Sequence, residues 1–416
     1  MKKGNLLFNY FDVIKKPIIS RLFLASLFNN ISLASYTISL TIIVYSQIPN
    51  TLVLGIVVSA ASLASLLSPL TGHVVDAHFK KSVIMTIRTL DVFVFLTLGI
   101  VVALHLPEFI VIVVLIAFVV ELNNYLRGYA VSTIYQLFLK ESKDTVRFRS
   151  IQGTTFWVTH AIMPVIVGYM IAGYGDLVPF VFIALLILPQ IILYSSLKFE
   201  ETIQNSKGKL KESISDSIKE LRRLIKSDST YTLLIFLPIM HAFFTSGTYI
   251  LIVALIYKLH NFAIGYGIIA SVGLAGNAIG TLLAGFIKLK RGYWIITIFT
   301  LTFILDIPVG LFPTFPIMLI FLTLSGLFYY IVATHFEGLR LVFIPREYYG
   351  RISGITDLLQ GIATIAGTLI LSSLALLFPA RLIYLYSVII LSVITCLMLL
   401  SKKLRSTSIA QRDHSQ

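Results

Sequence analysis

The stretch ELNNYLR, residues 121–127, puts a carboxylic acid, two amides, a phenol and a guanidinium at the end of a run of Ile, Val, Leu, Ala and Phe. Such groups are costly in an apolar medium, so where they occur they face a cavity or one another and mark function. A carboxyl withdrawn from water binds a proton more readily than one in solution. Glu121 is therefore the candidate for a group that takes up and releases a proton. The competing reading is a side chain that hydrogen-bonds its neighbours and never titrates. Glu121 and Tyr125 are four apart, as are Asn123 and Arg127, and on a helix each pair shares a face.

Other polar groups in apolar runs have quieter accounts. Arg88 and Asp91 have the spacing to pair on one helix. Asp306, in LDIPVG, can bind backbone groups that Pro308 frees. Glu337 and Arg340 can close an ion pair. His241 and His335 can relay protons or pack as buried rings. Cys396 is the single cysteine, so no intramolecular disulfide forms. An ATP-driven pump needs G-x-x-x-x-G-K-[ST], and a zinc hydrolase of the common kind needs H-E-x-x-H. Neither pattern occurs, and the eight His are scattered. No enzyme, metal or cofactor is expected.

The elements that must position these groups follow from composition. Hydrophobic residues make up 57% of the chain and charged residues 12%, against about 25% charged in a soluble domain. A water-soluble core could not bury so much apolar surface, so the fold class is an all-α integral membrane protein. Unbroken apolar runs exclude an outer-membrane barrel, whose strands alternate. Helices satisfy every backbone group within lipid. At about 20 residues per crossing the runs make twelve transmembrane helices, roughly 18–46, 52–71, 82–104, 108–137, 151–172, 177–197, 230–257, 262–286, 292–312, 314–342, 353–378 and 381–401.

The net charge of +14 lies in alternate loops, which is the distribution the membrane demands rather than a nucleic-acid surface. Of the 33 Lys and Arg, only Lys258 and Arg381 fall at one set of helix ends. Both termini are thus expected in the cytoplasm, with the chain multi-pass in the cell membrane. No cleavable signal peptide is expected in the first run. The polar stretch 198–229 divides the chain into a cytoplasmic N-terminus 1–17, a bundle 18–197, a linker 198–229, a bundle 230–401 and a tail 402–416. Within the linker, Leu210, Ile214, Ile218, Leu221 and Ile225 share one helical face, which suits a lipid surface. The halves repeat weakly. GHVVDAHFKKS after the second helix matches GFIKLKRGYW after the eighth, and LKESKDTVRFRSIQG matches IPREYYGRISGITD.

Twelve spans, a central basic linker and the loop GHVVDAHFKK resemble the major facilitator superfamily, whose signature loop is usually G-x-x-x-D-R-x-G-R-R/K. Ala77 and Phe79 depart from that pattern. The resemblance implies two related six-helix bundles around a central site, exposed alternately to each side. It also implies a cavity lined by helices 1, 4, 7 and 10. These offer Asn29, Asn30 and Tyr36; Asn124, Tyr125 and Arg127; His241 and Tyr249; and Tyr330 and His335. A cytoplasmic gate would use Gly72 for a tight turn and Asp76 against the start of helix 11 near Ile352. Lys80 and Lys81 would pair with Glu141 or Asp144. Many proton-coupled relatives carry an acid in helix 1, where this chain has Asn29 and Asn30, and that departure puts more weight on Glu121.

THAIMPVIVGY is similar to the exporters' G-x-x-x-G-P-x-x-G-G and keeps its Pro164 and Gly168, a bend and a close packing point. STIYQLFLKESKDTVRFRSIQG is similar to macrolide- and siderophore-type exporters of the superfamily. Gly276 and Gly280, four apart in the eighth span, suit close helix packing. The expected function is proton-coupled efflux of an amphipathic small organic molecule, drug-, macrolide- or siderophore-like, by a monomer. For an anionic siderophore, Arg127, His241 and His335 would neutralise carboxylates. The alternative is a proton symporter or facilitator importing a nutrient or metabolite.

Overall fold

The structure is a computed structural model. It describes residues 14–67, 71, 74–75, 78–104, 109–139, 142–198, 219, 222–223, 229–258, 261–287, 289, 291–343 and 349–402. Among these residues the chain is all helix, in twelve long segments. They are α1 (Pro17–Gln47), α2 (Thr51–Leu66), α3 (Lys80–Ala103), α4 (Phe109–Phe138), α5 (Ser142–Tyr174) and α6 (Leu177–Ser195), then α7 (Ser229–Ile256), α8 (Phe262–Ala284), α9 (Gly292–Leu311), α10 (Phe315–Phe343), α11 (Tyr349–Leu377) and α12 (Ala380–Leu400). Eleven contain a stretch long and apolar enough to cross a membrane, and α2 is shorter at 16 residues.

The helix bounds follow the apolar runs closely except at α5. That helix begins at Ser142, although its apolar span begins at Ile151. Hydropathy marks where lipid begins, and the polar turns of SKDTVRFR simply continue the helix beyond it. Gly72, Asp76, Glu141 and most of the 198–229 linker lie outside the described residues, as do the side chains of Asp144, Glu337, Arg340 and Ile352.

Within the second half, glycines let helices meet backbone to backbone. A Cβ at Gly276 or Gly280 of α8 would strike the carbonyl oxygens of Thr323 or Leu327 on α10. Gly367 of α11 lies against the Phe243 carbonyl of α7 in the same way. The expected close packing at Gly276 and Gly280 is therefore present. Dispersion and short interhelical contacts drive such association, since lipid removes the hydrophobic term.

Contacts joining the two halves run along α5 with α8 and α2 with α11. Pro164 and Gly168 of α5 face Gly267 and Ala263 of α8, with the Gly168 Cβ position 2.6 Å from the Ala263 carbonyl oxygen. The Val165 N–H donates across this seam to Ser271 Oγ at 3.2 Å. Thr51 Oγ1 donates to the Ser372 carbonyl at 3.0 Å, tying α2 to α11. Tyr45 of α1 packs edge-on against Tyr257 at 5.2 Å and tilted against Phe262 at 6.1 Å.

Candidate functional site

Two cavities lie beside this seam. The first, about 480 Å³, is framed by α1, α2, α4, α7 and α11. Glu121 and Tyr125 open into it side by side, as their spacing on α4 predicts. Asn124 is within hydrogen-bonding reach of Glu121, and Ser65 of Tyr125. Across from them α11 contributes Asp357, Gln360 and Thr364. Tyr36 of α1 lines the same cavity, its hydroxyl buried without a hydrogen-bond partner.

The second cavity, about 430 Å³, reaches into the C-terminal half between α7, α8, α9, α10 and α12, with α1 and α5 as its outer wall. His241 and Tyr330 line it, as do His160 and Pro164. His241 lies flat on Tyr329, ring centroids 3.7 Å apart and planes 7° from parallel. Trp157 of α5 meets Tyr330 edge-on at 4.5 Å. Tyr249 and Thr37 belong to both cavities. The Tyr249 hydroxyl hydrogen-bonds Thr41 Oγ1 at 3.3 Å and the Tyr266 hydroxyl. A chain of hydroxyls thus bridges the partition between the two spaces.

Several expected residues stand elsewhere. Arg127 is 8% exposed and turns into the N-terminal half, where its guanidinium donates to Asn124 Oδ1 at 2.9 Å. It lines neither cavity. It belongs to a layer in which Arg88 pairs with Asp91 at 3.0 Å, as their spacing predicts. Asn123 donates to Asp91 Oδ1 at 2.8 Å, and Arg88 donates to Asn29 Oδ1 and Gln190 Oε1, each at 3.4 Å. Asn29 is therefore part of this buried network and borders a gap of about 20 Å³. Asn30 is half-buried on α1 and lines neither cavity.

His335 is also outside both cavities. Its Nδ1 lies 2.7 Å from the Ile331 carbonyl oxygen and its Nε2 2.7 Å from that of Ile287, so the ring ties α10 to the loop after α8. Lys81 donates from Nζ to the Ser195 and Leu197 carbonyls, both at 2.7 Å, and the carboxylates it is expected to meet in the next loop lie outside the described residues. The last carbonyls of a helix carry partial negative charge and have no intrahelical donor, so an ammonium is well placed there. Arg21 does the same at the Ser196 carbonyl, at 2.9 Å. Lys80 is buried.

Asp306 differs from its expected role. Its Oδ1 is buried with no partner, and the side chain lines the second cavity beside Ser325. Asp357 is missed when the eleventh span's entry is read as a loop-to-helix motif alone, although ITDLLQ places it one turn from Gln360 on a helical face. Gln190 carries a plainer signal, a lone amide in the apolar run LPQIIL.

A sequence profile described as the Major Facilitator Superfamily matches residues 22–368. No curated protein matches the chain's sequence. Among solved structures, the chain is similar to the nucleoside transporter NupG, with a TM-score of 0.69 at 16% identity over 92% of this chain and 100% of that one. It is similar to a bacterial homologue of the iron transporter ferroportin in the inward-facing state, with a TM-score of 0.68 at 16% identity over 91% and 98%. It is similar to a POT family transporter in complex with 5-aminolevulinic acid, with a TM-score of 0.73 at 11% identity over 92% and 95%. At such identities these likenesses speak for the fold, and together with the profile over most of the chain they place it: this protein belongs to the Major Facilitator Superfamily.

Proposed function

We propose that this chain is a secondary transporter that exchanges protons for a small amphipathic organic solute, exporting the solute across the cell membrane by alternating access. It works as a monomer with both termini in the cytoplasm. The observation that carries this reading is Glu121, half-buried on α4, opening with Tyr125 into the cavity between the halves. A carboxyl at that position can hold a proton when the cavity is dry and release it when water enters. The mostly apolar and aromatic walls of the second cavity suit a solute with a large apolar body and few polar groups.

A multiply anionic, siderophore-like solute fits poorly. Arg127 and His335, two of the three groups expected to neutralise it, line neither cavity. Gly72, Asp76, Lys80 and Lys81 remain the proposed cytoplasmic gate, and Pro164 with Gly168 the proposed bend that lets α5 ride on α8.

Everted membrane vesicles, acidified inside, test the reading. Adding a transported solute should alkalinise the lumen, and Glu121→Gln should abolish that response with membrane abundance unchanged. Luminal pH that never responds to any solute would overturn proton exchange. Solute movement in the opposite sense would favour the import reading instead.

A further inference from the structure

The cavity inside the C-terminal half holds a carboxyl group that the proposed exchange does not use. Asp306 lies on α9, five residues before its last residue, Leu311. Its Oδ1 is buried without a hydrogen-bond partner; the Ser325 hydroxyl of α10 is within hydrogen-bonding reach of the carboxyl, and the Tyr384 phenol of α12 lies near it. The cavity walls near it are rings: Phe303 one turn earlier on α9, Tyr329 on α10 with His241 stacked on it, and Tyr384 on α12. No Lys or Arg is among the described residues that line this cavity.

An ionised carboxylate in apolar surroundings is costly unless a cation or several donors compensate it. Aromatic faces carry partial negative charge and attract cations laid against them. One kind of ligand satisfies both features at once. An organic cation would bring its charge to Asp306 and lay its apolar body along the rings. An anion would meet a carboxylate with no internal counter-charge, and a neutral solute without a donor would leave Oδ1 unpaired.

We propose that this cavity binds an amphipathic organic cation, with Asp306 as its counter-ion and Phe303, Tyr329 and His241 as its wall. The proposal rests on the transporter reading above and names the solute class that such a transporter takes. It also separates two tasks, since Glu121 opens into the other cavity and Asp306 into this one.

The test is equilibrium binding to the purified full-length protein in detergent, which needs no gradient. A failed pH response in vesicles would therefore sink proton exchange and leave this proposal standing, and the reverse holds as well. The probes are tetraphenylphosphonium, a cation whose charge does not titrate, and triphenylphosphine oxide, neutral and similarly shaped. Asp306→Asn should weaken tetraphenylphosphonium binding about tenfold or more. Asp306→Glu should weaken it less, and neither variant should change binding of the neutral probe. Three results would overturn the proposal: wild-type affinity in Asp306→Asn, equal losses for both probes, or no saturable wild-type binding of tetraphenylphosphonium, ethidium or benzyltrimethylammonium. Should Asp306→Asn fail to assemble, carbodiimide labelling of Asp306 in the wild type, read by peptide mass spectrometry, replaces it. Tetraphenylphosphonium should slow that labelling and the phosphine oxide should not; equal effects of the two would contradict the assignment.

Discussion

The two halves treat a buried aspartate in opposite ways. In the N-terminal half Asp91 takes one bond from Arg88 at 3.0 Å and another from Asn123 at 2.8 Å. Asn29 and Gln190 accept from Arg88 Nη1, while its Nε is left without a partner, and the space left over is about 20 Å³. In the C-terminal half Asp306 has an Oδ1 with no partner and borders about 430 Å³ of open volume. Residue type is the same in both places and so is the apolar setting. What separates a built-in carboxylate from one available to a visitor is whether the fold supplies the cation. The first stiffens its bundle, while the second leaves an electrostatic requirement that a ligand can meet.

The largest effect should come from breaking the satisfied side. Asp91→Asn leaves Arg88 charged, buried and unpaired, a change that costs about 3–5 kcal/mol. Thermal melting of the purified protein should show it as a large drop or a loss of folded material. Asp306→Asn breaks no ion pair and should stay within about 1 kcal/mol of wild type. Equal destabilisation by the two would erase the contrast and make Asp306 structural.

Next in size is helix packing within the C-terminal half. Gly367→Ala drives a methyl into the Phe243 carbonyl and should cost about 1–3 kcal/mol. Gly273→Ala, at a site with nothing within 4 Å of the new methyl, should be neutral or slightly stabilising on the same melting curve.

A smaller effect is expected at the partition. Tyr249→Phe removes the hydroxyl shared with Thr41 and Tyr266, worth about 0.5–1.5 kcal/mol. Solute flux should fall several-fold while equilibrium binding changes little. An equal loss in both would make Tyr249 a binding group and not a link between cavities. The smallest effect belongs to Lys81→Gln. As a cap on α6 it should lower the melting temperature by about 1–2 °C and leave flux alone. A large loss of flux without a change in melting would make Lys81 a gating group and not only a cap.

The crossings were legible because a run of apolar residues has one physical meaning in lipid. So was the Arg88–Asp91 pair, whose spacing fixes its geometry, and the shared face of Glu121 and Tyr125. Placement around a helix was less legible. His335 lies six residues beyond Tyr329, about 240° round the helix, and so leaves the face that lines the cavity. Arg127 reads as a cavity cation because it is charged and in α4, yet its face turns inward to the N-terminal network. The Asp306 cavity could not be read at all. It requires five helices from distant parts of the sequence to withdraw their side chains from one place, and no local pattern records that.

Glu121 as the proton carrier is the central claim, and proton release from the purified protein tests it most directly. In lightly buffered detergent with a pH indicator, a transported solute that displaces the proton should acidify the wild-type solution in proportion to protein. Glu121→Gln, bound to the same solute, should release nothing. Release of the same size from Glu121→Gln, or none from a wild type that binds the solute, would contradict the account.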